Sequence, residues 1–227
     1  MRTHNQQVAV LLALLSLAVV SVAWGEVIGK TARPLDGKPA RVSESTLGDL
    51  VADAVRASLN ANIAFVQASQ IRPGLLPTGD LTREALVSSL LFPDEPTVVV
   101  EMPGRMVKEA LERGLAFLPW PSTMFLQVSG VSVTFRATDP LGRRISEITV
   151  GGAVISADKT YQVAMPGSLA KGAMGYDRVF TDLRIKQTGP SLSEALTRYV
   201  RANPNVNIVA GQRLRDLSRT QAGGGKQ

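Results

Sequence analysis

Acid–base and metal chemistry near neutral pH usually rests on imidazoles, thiols or clustered carboxylates. This chain of 227 residues has one histidine and no cysteine. The histidine, His4, lies in a segment that reads as a removable leader, so the mature chain has no imidazole general base, no thiolate nucleophile and no nitrogen ligand for zinc or iron. Carboxylates alone could hold Mg²⁺ or Ca²⁺ through oxygen, but no group of Asp and Glu residues here shows ligand spacing. Asp94 and Glu95 are adjacent, which does not place both side chains on one substrate. Gly151-Gly152 stands between alternating apolar residues and reads as a hairpin turn rather than a phosphate loop. These residue types do not make a complete metallohydrolase or any enzyme dependent on His or Cys.

The elements that would position the remaining groups are legible from periodicity. Ser43 is a candidate cap for a long helix in which Leu47, Leu50, Val51, Ala54, Val55 and Leu59 recur at helical spacing. The run 62–68 reads as a short buried strand, followed by a loop through Arg72 and Gly74. Thr82 can cap a short helix before Phe92-Pro93, and 97–102 reads as a strand. Gly104 opens a helix with Val107, Ala110, Leu111, Gly114, Leu115 and Leu118 inward, ended by Pro119-Trp120-Pro121. Strands are expected at 125–128, 131–135, 145–150, 153–155, 161–164 and 180–185, and Ser191 caps a last helix. No repeat and no linker divides the chain.

The first 25 residues combine Arg2, an apolar stretch from Val8 to Val22 and the small-x-small triplet Ala23-Trp24-Gly25. That pattern predicts a signal peptide cleaved after Gly25, since the stretch is shorter than the ~20 residues needed to span a bilayer. Residues 26–217 are expected to form one domain, with a disordered, glycine-rich tail at 218–227. Without Arg2 the 25 basic residues become 24 against 19 acidic ones, a net charge of +5. The basic residues are scattered, apart from a loose gathering at Arg213, Arg215 and Arg219, and carry no interleaved aromatics. That argues against a nucleic-acid polymer as partner. The expectation is a periplasmic or secreted protein with no membrane association after leader cleavage.

Six stretches, in order, carry a resemblance running from about Val27 to Val200. Residues 44–54 (ESTLGDLVADA) are similar to "ES-x-LGNLVADA", and residues 65–72 (FVQASQIR) to "LVNAGGIR". Residues 78–82 (TGDLT) resemble "AGDLT", 125–130 (FLQVSG) match "FLQVSG", and 159–164 (KTYQVA) are similar to "KTYRVA". Residues 172–176 (GAMGY) stand where the pattern has "GGDGY". The chain thus resembles the C-terminal, substrate-binding domain of bacterial 5'-nucleotidases and UDP-sugar hydrolases, without their metallophosphoesterase domain. The resemblance implies an α/β fold of α+β type, with mixed β-sheets covered by helices. It also implies that catalytic divalent metals belong to a partner domain, so no cofactor is expected here.

In that family the domain holds the substrate. The resemblance places phosphate-contacting arginines at Arg41 and Arg72, whose planar forks suit phosphate oxygens. It also implies roles for Gln67, Gly172, Gly175 and Tyr176, with Tyr176 read from the residues themselves as core. The base-binding half departs from the pattern: Pro93 and Glu95 stand where a stacking Phe and an Asn belong, and Phe92 could replace the ring only if the loop shifts by one residue. Ser168 stands at the second stacking position and Met174 at the Asp, while Ser69-Gln70 replaces a glycine pair. Trp120 is a possible replacement ring, with packing over a helix end as its plainer role. Two readings follow. The domain binds a nucleotide or other phosphate ester for a separately encoded metallophosphoesterase in nucleotide catabolism, noncatalytic alone, or it is a scaffold module that no longer recognises nucleotides.

Overall fold

The structure, a computed structural model, describes residues 25–180 and 183–222. The expected leader therefore lies outside the described residues, apart from Gly25. In chain order the elements are β1 (Val27–Thr31), β2 (Leu35–Asp36), α1 (Thr46–Ser58), β3 (Ile63–Gln67), β4 (Leu75–Leu76), β5 (Gly79–Thr82) and α2 (Arg83–Ser88). Then come β6 (Pro96–Pro103), α3 (Gly104–Leu115), β7 (Leu126–Ser129), β8 (Val131–Phe135), β9 (Ile145–Val150), β10 (Ala153–Val154) and β11 (Thr160–Pro166). The rest is α4 (Gly167–Ala170), β12 (Ile185–Ser191), α5 (Leu192–Ala202), β13 (Asn205–Val206), β14 (Leu214–Asp216) and α6 (Leu217–Ala222).

A five-stranded sheet, β12-β6-β11-β3-β7, forms the centre of the molecule. β3 pairs parallel with β11 and antiparallel with β7, and all five of its residues are buried, as expected for a strand covered on both faces. Helix α1 packs over β3, β7 and β11 and against α5, burying Leu47, Leu50, Val51, Ala54 and Val55. Helix α3 packs against β6, β7 and β9, with Val107, Ala110 and Leu111 inward, so it joins this sheet to a four-stranded one, β10-β9-β8-β14. A three-stranded sheet (β13-β1-β5) and the short pair β2-β4 complete the mixed α/β architecture.

Local signals explain most boundaries. Thr82 accepts from the Ala85 amide, and Ser191 forms a full capping box with Glu194. Gly151 and Gly152 both have positive φ, 58° and 83°, in the tight turn between β9 and β10.

Three expectations are corrected. The cap of α1 is Ser45, whose hydroxyl accepts from Gly48 N at 3.0 Å, whereas the Ser43 carbonyl is held by Gln127. The strand expected at 180–185 begins only at Ile185, where it can pair with Val100 of β6; Phe180 instead stacks on Tyr176, with ring centroids 5.3 Å apart. The chain does not turn irregular at Ser218. Asp216 takes both the amide and hydroxyl of Ser218, at 3.0 and 2.6 Å, and this starts α6, which runs to Ala222. Residues 223–227 of the expected tail lie outside the described residues.

Candidate functional site

The C-terminal end of β3 gathers most of the residues singled out by resemblance. Immediately beyond Gln67 the chain makes a 3-10 turn, Ala68–Gln70, pinned by Ala68 N to Phe125 O (2.8 Å) and Ser69 N to Thr123 O (3.2 Å). A second 3-10 turn, Lys38–Arg41, packs beside it and carries Arg41. Gln127 fixes that second turn. Its amide donates to the Ala40 and Ser43 carbonyls, both at 2.9 Å, and its carbonyl accepts from Ser45 N at 2.9 Å. The Arg41 carbonyl in turn accepts from Ser122 N.

Arg41 is half-buried, and its Nε is buried without a hydrogen-bond partner among the described residues. Gln70 is buried in the neighbouring turn, and its Oε1 is likewise unpaired. Arg72 is exposed and donates through Nε to the Ser88 carbonyl at 2.8 Å. The two arginine-bearing segments touch: Gly37 N donates to Gly74 O at 2.9 Å, and a Cβ on Gly37 would lie 2.6 Å from the Arg72 carbonyl oxygen. Among the described residues neither arginine pairs with a carboxylate. Two guanidiniums carried on touching segments, neither with a counter-charge among the described residues, would suit an anion if their side chains converge on it. Phe92, about half exposed, comes one residue after Leu91, whose amide donates to Gln70 O at 2.9 Å.

Other predicted site residues have structural employment. Gln67 is buried and spends its amide on the Ala173 carbonyl at 3.1 Å, tying β3 to the loop 172–176. Tyr176 is fully buried, and its hydroxyl donates to Met124 O at 2.8 Å. Burial pushes the Tyr176 phenol well above its ordinary value. It is a core residue and cannot present a ring to a ligand. Gly172 (φ 86°) and Gly175 (φ 78°) shape the loop. A Cβ on Gly172 would lie 2.6 Å from the Asp177 backbone, and one on Gly175 would lie 2.7 Å from Arg113 Nη2. Met174 between them also has a left-handed φ of 58°, with its side chain exposed beside Thr123. Trp120 is exposed at 74% and does not pack over a helix end as expected; it ends a turn after α3 in which its amide donates to Phe117 O at 2.8 Å while Leu118 is the buried residue.

The base-side positions are joined to each other. The Glu95 carboxylate accepts from Ser168 N at 2.6 Å, which satisfies an amide at the start of α4. Spacing alone could not reveal this bond across 73 residues. Sequence reasoning also did not assign Gln127 or Arg113, whose Nε donates to Gly175 O at 3.1 Å. Asp94 adds no second carboxylate to a site here, and among the described residues no group of three or more His, Asp or Glu side chains is placed to hold a metal ion.

A cleft of about 1010 Å³ lies elsewhere, between α3 and β9, lined by residues including Arg105, Lys108, Leu141, Ile148 and Val154. Neither Arg41 nor Arg72 lines it.

Comparison with known proteins agrees with the fold. The family described as 5'-nucleotidase, C-terminal domain, matches residues 27–182, more than half of the chain. The chain belongs to that family. It is 32% identical over 168 residues to the trifunctional nucleotide phosphoesterase protein YfkN of Bacillus subtilis, covering 69% of this chain and 11% of that protein. An apyrase of Anopheles gambiae is 27% identical over 190 residues, covering 80% of this chain and 33% of its own length. Among solved structures, a 5'-nucleotidase precursor from Thermus thermophilus superposes with a TM-score of 0.75 at 25% identity, covering 94% of this chain and 42% of that one. The chain therefore spans well under half the length of these relatives. No helix among the described residues is long and apolar enough to cross a membrane.

Proposed function

We propose that this domain binds a nucleotide or other phosphate ester outside the cytoplasm and presents it to a separately encoded metallophosphoesterase, contributing position and not catalysis. The observation that carries this reading is that Arg41 and Arg72 lie on touching segments beyond the end of β3 and that, among the described residues, neither pairs with a carboxylate. Holding the phosphoryl group there would lower the entropic cost of bringing it to a metal-activated water on another domain. The donor set of the described residues, with no histidine, supports assigning the metals to the partner.

The test is calorimetric titration of the mature chain with inorganic phosphate and with AMP. Arg72→Ala should weaken phosphate binding by about tenfold or more, the loss of one charge-assisted hydrogen bond, whereas Trp120→Ala should leave inorganic phosphate unaffected. Equal affinity of Arg72→Ala and wild type, or no binding of either ligand at millimolar concentration, would sink the reading.

A second reading, a scaffold that has abandoned nucleotides, is favoured by the Glu95–Ser168 bond, which occupies the base-side positions with internal pairing. Binding of inorganic phosphate with no gain in affinity for AMP would fit a site that keeps its anion half alone.

A further inference from the structure

At the start of α1 lies a buried set of charges that the candidate phosphate site does not use. Glu44, 6% exposed, accepts three backbone amides from one segment: Gln212 N at 3.2 Å, Arg213 N at 2.8 Å and Leu214 N at 2.7 Å. Arg213 forks onto Asp53 at 2.9 and 2.8 Å and donates to Val128 O at 2.8 Å. Asp53 also accepts from Ser129 Oγ, which in turn accepts from Arg56 Nε. These contacts lead the chain into β14, whose parallel pairing with β8 closes the four-stranded sheet.

Asp49 sits among these groups with 0% exposure, and neither of its oxygens meets a donor among the described residues. Arg213 Nε lies 3.7 Å from its Oδ1, close enough for Coulomb attraction but too far for a hydrogen bond. The charged groups facing it are Glu44 ahead of α1, Asp53 on α1 and Arg213 ahead of β14, while Arg56 on α1 reaches Ser129 and Tyr199 on α5 stands near Asp53. With Asp49 neutral, the Glu44 and Asp53 carboxylates face Arg213, and Arg56 lies one hydroxyl away through Ser129. With Asp49 ionised, a third negative charge would be buried beside Glu44, an arrangement that low dielectric strongly disfavours.

We propose that Asp49 keeps a proton in the folded chain and that this proton latches the segment 212–214 onto the start of α1, more tightly as the medium becomes more acid. Burial first, then Glu44 and Asp53, raise the Asp49 carboxyl to about 9 against the opposing pull of Arg213. When the segment releases, water reaches Asp49 and it ionises as an ordinary carboxyl. The latched form therefore keeps a proton that the released form gives up, so the latched population falls as pH rises from the ordinary carboxyl range toward 9 and levels off above it. The effect approaches tenfold per pH unit.

The experiment is amide exchange by NMR on the mature chain and on Asp49→Asn, corrected for intrinsic rates. Protection of the Gln212, Arg213 and Leu214 amides should fall by about tenfold per unit between pH 5 and 8 in wild type. In Asp49→Asn, whose amide donates to Glu44 without titrating, it should stay flat. Parallel profiles in the two proteins would overturn the latch. If Asp49→Asn does not fold, the Asp49 Cγ resonance of wild type decides: a neutral carboxyl shift at pH 7 is the expected result, and an ionised shift there rejects the proposal.

Discussion

The two halves of the candidate site have diverged in opposite directions. Around Arg41 and Gln70, buried polar atoms stand without partners among the described residues, and two guanidiniums lie on adjacent segments with no carboxylate among those residues to pair them. Around Glu95 and Ser168 the polar groups have found each other, and the amide at the start of α4 is satisfied from within the chain. A buried donor or acceptor without a partner costs free energy, so a fold keeps one where a water or a ligand supplies the missing bond. The contrast is what the proposed binding of a phosphate ester predicts: an anion side open to a ligand and a base side that has closed on itself.

The largest effect should come from removing the support of the anion half. Gln127 is fully buried and serves three backbone groups, so Gln127→Leu would leave the Ala40 and Ser43 carbonyls and the Ser45 amide short of partners. At about 1–3 kcal/mol for each unsatisfied buried group, a loss of at least about 3 kcal/mol is expected. For a domain of this size that lowers Tm by about 6–12 °C in a thermal melt. A fall of only 1–2 °C would show that the Arg41 turn holds its shape without Gln127.

An intermediate effect is expected from opening the base half. Glu95→Gln keeps the shape but exchanges a charged acceptor for a neutral one at Ser168 N, which should cost about 1 kcal/mol and be read as a small shift in the denaturation midpoint. If the closed base half is what excludes a nucleobase, Glu95→Ala should raise affinity for AMP relative to inorganic phosphate. No change in that ratio would separate base exclusion from the Glu95–Ser168 bond.

How far the sequence reveals this contrast depends on the range of the interactions. Helices α1, α3 and α5 and the buried strand β3 follow from local periodicity, and Thr82 and Ser191 cap as their positions suggest, because helical spacing and caps are set within a few residues. Ser45 rather than Ser43 caps α1 because Gln127, 82 residues away, takes the Ser45 amide and positions the turn. The strand after Phe180 slides to Ile185 because pairing with β6 decides its register, and Phe180 goes to Tyr176. In the candidate site, the resemblance singled out Arg41, Arg72 and the glycines. It could not show that Gln67 and Tyr176 are used up internally by Ala173 and Met124, bonds that span 106 and 52 residues.

The smallest stability effect, and the sharpest test of the comparison, belongs to Arg41→Met. The arginine stem packs beside the turn while its Nε gains nothing from the protein, so a methionine keeps the apolar contact and deletes an unsatisfied donor. Stability should change by no more than about 0.5–1 kcal/mol, with stabilisation the favoured direction, because the desolvation cost of that donor disappears. Affinity for inorganic phosphate should drop by about tenfold or more over the same substitution, since a charge-assisted contact is lost. A residue held for a ligand separates the two readouts in this way. A residue held for the fold does the reverse, so a variant that melts several degrees lower while binding phosphate unchanged would move Arg41 out of the site and into the scaffold.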